Sequence, residues 1–165
     1  MSTEQFLWPR TFICPGGLHF EISVPAWTLM QCFRQNEPHM AEAGGVLLGR
    51  HLRDGSAIIV DAITTPLLDD QRSRARFFRA QSRHQAVIDE AWHASNGTCT
   101  YLGEWHTHPE PIPTPSTIDW ADWQRRLRSD RFSEPIFFVI VGIPGVAAWE
   151  GNRSGVLKQL SLIER

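Results

Sequence analysis

The sequence predicts a mixed α/β fold in a single domain spanning 1–165, with helices packed on a sheet. Three observations carry this. The 165 residues are 42% hydrophobic, enough for one real core without disulfide or metal staples. Stretches rich in β-formers alternate with two or three stretches of helical periodicity. No internal repeat, low-complexity tract or linker divides the chain.

Taken in order, "TFICPGGLHFEIS" mixes β-formers with a Pro-Gly-Gly turn and predicts a short strand or hairpin. Pro25 suits a first helical turn, and Trp27, Met30, Phe33 and Arg34 follow at helical spacing to about Asn36. "GGVLLGRHLRDGSAIIVDAITTP" reads as two strands joined at Asp54-Gly55. Residues 82–95 form an amphipathic helix with Ser82 as its cap. Its apolar face is Val87, Ile88, Ala91 and Trp92, and Asn96-Gly97 ends it. "TCTYLGEWHTH" is β-rich, and a further helix runs from about Ser116 to Ser129. "PIFFVIVGI", "VAAWE" and "VLKQLSLIE" close the chain as three strand candidates.

Bulk properties exclude several classes. A formal net charge of −2 gives no global attraction to nucleic acid or membrane, and neither is expected as a partner. Cys14, Cys32 and Cys99 are odd in number and without a C-x-x-C pair, a pattern of a reducing compartment. "MSTEQFLWPRTF" has no basic region followed by an apolar run, so no secretory signal is expected, and "PIFFVIVGI" is too short to span a bilayer as a helix. The expected location is the cytoplasm.

The chemistry concentrates in "GEWHTHPEPIPTPSTIDW". His106 and His108 are two apart at a strand end, so both imidazoles point to one face. Asp119 follows across a loop stiffened by Pro109, Pro111, Pro113 and Pro115. Two histidines and a carboxylate suit Zn²⁺ and leave a fourth position for water. The same segment is also a sound helix start, with Ser116 as N-cap and Asp119 at N3, and the histidine pair alone would serve in a solvent-facing strand. The two readings are compatible, because a cap holds a metal carboxylate rigid. A hydrolytic site also needs a proton shuttle. Glu42, just before Gly44-Gly45, is one candidate, with Glu37, Glu104 and Glu110 as rivals.

Glu42 in an E-x-G-G-x-L-L-G setting, with H-x-H-x7-S-x-x-D over 106–119, resembles the JAMM (MPN+, JAB1/MPN/Mov34) zinc metallopeptidases along nearly the whole chain. That resemblance implies a mostly antiparallel curved sheet flanked by two or three helices, similar to cytidine deaminases. It implies one Zn²⁺ per chain held by His106, His108 and Asp119, Glu42 as general base and Ser116 as oxyanion donor. The context "YLGEWHTHPEPIPTPSTIDWADW" is most similar to the small prokaryotic JAB peptidases of CBASS anti-phage operons. There the substrate is a cyclic-oligonucleotide synthase (CD-NTase) conjugated through its C-terminal tail by an E1-E2-like ligase. Three alternatives stand beside this: processing of a ubiquitin-like sulfur carrier, a nucleic-acid-associated JAB protein related to DNA repair, or a non-catalytic scaffold.

Outside the motif, Arg72, Arg74, Arg76, Arg79 and Arg83 form a basic stretch that reads either as a solvated loop and helix start or as a docking surface for an acidic partner. The first four of these are the candidate substrate-docking residues. "RRLRSDR" at 125–131 reads as a solvated helix face. Trp105, Trp120 and Trp123 are expected to pack behind the ligands, and Cys99 to be a buried structural thiol. His19, His39, His51, His84 and His93 have no metal-like spacing and are assigned no role.

Overall fold

The structure is a computed structural model that describes residues 8–164. Strands β1 (Arg10–Ile13) and β2 (His19–Ile22) form the expected hairpin, in the register Phe12↔Phe20. Helix α1 (Val24–Gln31) starts at Ser23, whose hydroxyl accepts the Ala26 amide, with proline in the first turn. It ends earlier than the periodicity suggests. The amides of Cys32, Phe33 and Arg34 bond three residues back, so the chain tightens into a turn before Asn36.

Strands β3 (Gly44–His51) and β4 (Ala57–Ile63) pair around the Asp54-Gly55 turn. The stretch read as loop and helix start contains a hairpin, β5 (Gln71–Ser73) and β6 (Arg76–Phe78), whose strands are too short for a period to show. Helix α2 (Gln81–Ala94) begins at Ala80 without a side-chain cap. Ser82 is not its cap; the Asp70 carboxylate takes the Ala80 amide instead, at 2.7 Å. Asn96 and Gly97, both at positive φ, end the helix as expected.

Strand β7 (Thr100–Thr107) is followed by α3 (Thr117–Ser129), β8 (Ile136–Val141) and β9 (Val146–Gly151). The last predicted strand divides at Leu160 into β10 (Leu157–Gln159) and β11 (Ser161–Leu162). The large sheet has the order β10-β9-β8-β7-β3-β4-β2-β1-β11. Among the described residues only β2–β4 and β7–β8 pair in parallel, so the sheet is mostly antiparallel. Its two outer strands are halves of one terminal segment, which curls the sheet until its ends meet.

The middle of the sheet is buried on both faces. Phe137, Val139 and Val141 of β8 join the core around Phe20, Trp27 and Met30, whereas Ile136, Phe138 and Ile140 face Trp123 and Leu127 of α3. This explains why "IFFVIV" reads as a continuous apolar run. Among the described residues, no helix is long and apolar enough to cross a membrane.

Candidate metal centre

A bulge decides which face of the sheet carries the histidines. The β3–β7 register passes from Leu47↔Gly103 to Leu48↔Tyr101 and leaves Leu102 unpaired. Gly103 has φ +140, and a Cβ there would lie 1.8 Å from the Phe137 carbonyl oxygen. Only glycine fits. Beyond the bulge Trp105 enters the α1-side core and donates its indole N–H to the Thr64 carbonyl at 2.9 Å. His106 turns to the α3 side, its ring 6.3 Å from that of Trp123.

Helix α3 brings Asp119 to the histidines. Ser116 Oγ accepts the Asp119 amide at 3.1 Å, and the Asp119 carboxylate accepts the Ser116 amide at 2.6 Å. The capping box read from sequence is therefore present. A buried ion network fastens the helix to β7. Glu104 binds Arg79 at 2.7 Å and Arg126 at 2.9 Å, and Arg126 also binds Asp122 at 2.9 Å.

Glu42 arrives from the segment before β3. Its amide donates to the Ser73 carbonyl at 2.8 Å, and its own carbonyl accepts from Arg72 Nε at 2.7 Å. A Cβ on Gly44 would meet the Phe77 ring at 2.6 Å, so the hairpin packs against β3 only because that residue is glycine.

The polar atoms converge. His106 Nε2 and His108 Nε2 are 3.1 Å apart, and Asp119 oxygens lie 3.3 Å from each. Glu42 Oε1 is 3.7 Å from His108 Nε2. Glu42, His106 and His108 are 5%, 9% and 6% exposed and offer ligand atoms all within 4.8 Å of one another. So many buried lone pairs facing one point are unfavourable unless a cation neutralises them, and two imidazoles with a carboxylate fit a divalent metal.

Electrostatics follow the same geometry. Burial pushes the Glu42 carboxyl up to about 7, against the opposing pull of His106 and His108. Burial also opposes ionisation of Asp119, but hydrogen bonds and charge from both histidines hold it well below the usual carboxylate range. For His108, burial lowers the pKa, and Asp119, Glu42 and Glu110 together outweigh it, so the net shift is upward.

The rivals of Glu42 sit elsewhere. Glu37 is exposed, Glu104 is held by arginines, and Glu110 lies against the far nitrogen of His108. Arg72, Arg74 and Arg76 are exposed on or beside the hairpin. Arg74 bonds the Pro38 carbonyl, and Arg76 stacks over Phe78 at 5.2 Å. Arg79 is apart from them, 7% exposed within the ion network, and Arg126 is likewise buried rather than on a solvated face. Trp105 and Trp123 pack as expected, whereas Trp120 is 38% exposed and Cys99 is half-buried. His84 has a role that spacing did not reveal. Fully buried, it joins Thr64 Oγ1 at 2.7 Å to Asp70 at 2.9 Å and anchors the base of the hairpin.

Comparison with known proteins shows the family and the fold. The family model described as prokaryotic homologs of the JAB domain matches residues 30–152. A Pseudomonas aeruginosa protein named CD-NTase/cGAS isopeptidase is 39% identical over 128 residues, covering 76% of this chain and 77% of its own. A Vibrio cholerae protein of the same name is 41% identical over 115 residues, 70% of each chain. The solution structure of a Desulfitobacterium hafniense protein superimposes with a TM-score of 0.57 at 23% identity, covering 84% of this chain and 87% of that one, a likeness of fold.

Proposed function

The chain belongs to the family of prokaryotic JAB-domain homologs, and we propose that it is a cytoplasmic zinc isopeptidase, one zinc per chain, that cuts after the C-terminal tail of a conjugated CD-NTase. The observation that carries the proposal is the convergence of His106, His108, Asp119 and Glu42 on one buried point. The names of the relatives at 39% and 41% identity support the substrate class.

In this reading His106, His108 and Asp119 hold the ion. Zinc, when bound, supplies Lewis acidity to the scissile carbonyl and acidifies the attacking water toward a pKa of about 7. Glu42 takes the proton from that water and returns it to the lysine amine as the bond breaks. Glu42 Oε1 stands 3.7 Å from His108 Nε2, beside the ion's position, where one carboxylate can make both transfers. Ser116 Oγ accepts the Asp119 amide, which leaves its own proton free for the developing oxyanion.

The substrate tail approaches as an extended strand. Among the described residues β6 pairs only with β5, so its outer edge is open to main-chain hydrogen bonds. Beside it a groove of about 410 Å³, lined by Phe78, Thr117, Ile118, Ala121, Asp122 and Arg125, runs along the first turns of α3. The exposed Arg72, Arg74 and Arg76 complete this docking side. An E1-E2-like ligase would make the conjugate, and its removal would belong to bacterial anti-phage defence.

The test is incubation of the zinc-loaded protein with a CD-NTase joined by its tail to a lysine-bearing target. Mass spectrometry should locate one cut at the junction. An intact conjugate, with cleavage instead of a ubiquitin-like sulfur carrier, would replace this substrate with the other.

A further inference from the structure

The orientation of His108 fixes where its proton must be. Its Nε2 faces His106 Nε2, Asp119 and Glu42 at 3.1, 3.3 and 3.7 Å, so Nε2 is the nitrogen turned toward the ion. An imidazole that ligates through Nε2 carries its hydrogen on Nδ1. His108 Nδ1 is buried without a hydrogen-bond partner. An N–H in that position bears the full cost of losing water unless an acceptor reaches it.

One acceptor stands close. Glu110 Oε2 lies 3.9 Å from His108 Nδ1, about 1 Å beyond the ordinary length of a charge-assisted hydrogen bond. The backbone of Glu110 is fixed, because its carbonyl accepts the Ile143 amide at 2.7 Å. Its carboxylate is partly steered, with Oε2 accepting the Thr114 amide at 3.1 Å and the Thr114 hydroxyl at 3.4 Å. Oε1 has no hydrogen bond among the described residues and is free to accept. The side chain is 45% exposed, so a small rotation meets little packing resistance.

We propose that Glu110 is the outer carboxylate of the metal site, accepting the Nδ1–H of His108 and so fixing that ring for ligation through Nε2. The inference rests on the reading of His106, His108 and Asp119 as the ligands. It gives Glu110 a positioning role distinct from the base. The carboxylate works on the far side of the imidazole from Glu42, and it makes the Nε2 lone pair a stronger donor. It also gives a reason for the Glu110–Thr114 contact inside a loop already stiffened by proline, since that contact holds the carboxylate within reach of the ring.

The test measures zinc affinity by competition with a chromogenic chelator, together with ¹⁵N-edited NMR of the histidine rings in the zinc-loaded protein. Wild type should show a slowly exchanging, downfield His108 Nδ1–H. Glu110→Ala should lose that resonance and weaken zinc by about 10- to 100-fold. Glu110→Gln should fall between, because an amide oxygen still accepts but carries no charge. Thr114→Val, which keeps the amide and deletes the hydroxyl, should retain the resonance. If Glu110→Ala binds zinc as wild type does, the proposal fails. It fails equally if affinity drops while the resonance persists, since Glu110 would then act only through the loop. Wild-type protein that binds no zinc is a different result and removes the ligand assignment itself.

Discussion

Thr107 and Ala43 are hydrogen-bonded to each other in both directions: the Thr107 amide donates to the Ala43 carbonyl at 2.9 Å, and the Ala43 amide donates to the Thr107 hydroxyl at 3.0 Å. Thr107 stands between the two histidines, and Ala43 follows Glu42. The Thr107 hydroxyl then donates to Gln35 Oε1 at 3.0 Å, and Gln35 Nε2 donates to the Arg74 carbonyl on the hairpin at 2.9 Å. Two segments far apart in sequence are thus registered by one backbone bond and one hydroxyl bond, so the carboxylate and the imidazoles need little side-chain reach to meet.

The first prediction separates the base from the ligands. Glu42→Gln should bind zinc as wild type does, by metal analysis, yet lose about 10²- to 10⁴-fold in kcat for conjugate cleavage. Near-wild-type turnover would remove Glu42 from the mechanism.

The second concerns the metal-free protein and pH. Glu42 has a pKa raised from 4.5 to about 7, so the folded state holds more protons than the unfolded state between those values, and stability falls as pH rises through that range. His108, also raised, adds in the same direction: its contribution is complete below its unfolded value of 6.5 and is lost above the folded one. The depressed Asp119 contributes above its unfolded value of 3.8 and loses that only on acidification, outside this window. Denaturant titrations at pH 5.5 and 8 should therefore show a loss of roughly 1–3 kcal/mol. Glu42→Gln should flatten the slope, and zinc should reverse it because the ligands bind metal deprotonated.

Ser116 has two roles that substitution can divide. Ser116→Ala should cost about 1 kcal/mol through loss of the cap, whereas Ser116→Gly should cost only a few tenths. Both remove the hydroxyl, so both should reduce kcat by about 10²-fold. Thermal melts beside kinetics would show whether activity follows the hydroxyl or the stability.

Glu104→Gln should be among the most destabilising single changes. It leaves Arg79 without its close carboxylate and Arg126 with fewer, in a network only 4–12% exposed at the Glu104–Arg79 pair. The expected cost is about 3 kcal/mol, a fall in Tm of roughly 6–12 °C. Adding Arg79→Met should recover part of it, because the stranded guanidinium is then gone.

Much of the site is legible in the sequence because its densest part lies in fourteen consecutive residues, where strand parity and cap chemistry act locally. Glu42 is legible only through its glycine setting, since nothing in residue spacing joins position 42 to position 106. The rest depends on contacts that leave no period. Gly103 moves the histidines to the α3 side through a bulge, and alternation alone says only that Trp105 opposes them. The β5–β6 strands are three residues each, shorter than any pattern can mark. Asp70 substitutes for a cap on α2 from ten residues away, and His84 buries itself against it. Arg79 and Arg126 look solvated in sequence because their partner, Glu104, belongs to a different element, strand β7.

The join at Leu160 has a kinetic meaning. Pairing Phe12 with Leu162 closes a chain loop of roughly 150 residues, the kind of non-local contact that forms late in folding. Until it forms, β1 and β9 each present an unsatisfied border on which another chain could add a strand. The residues from 157 to 163 therefore act as a closing seam: once they are placed, β1 and β9 are paired along those sides and no longer offer them to a neighbour.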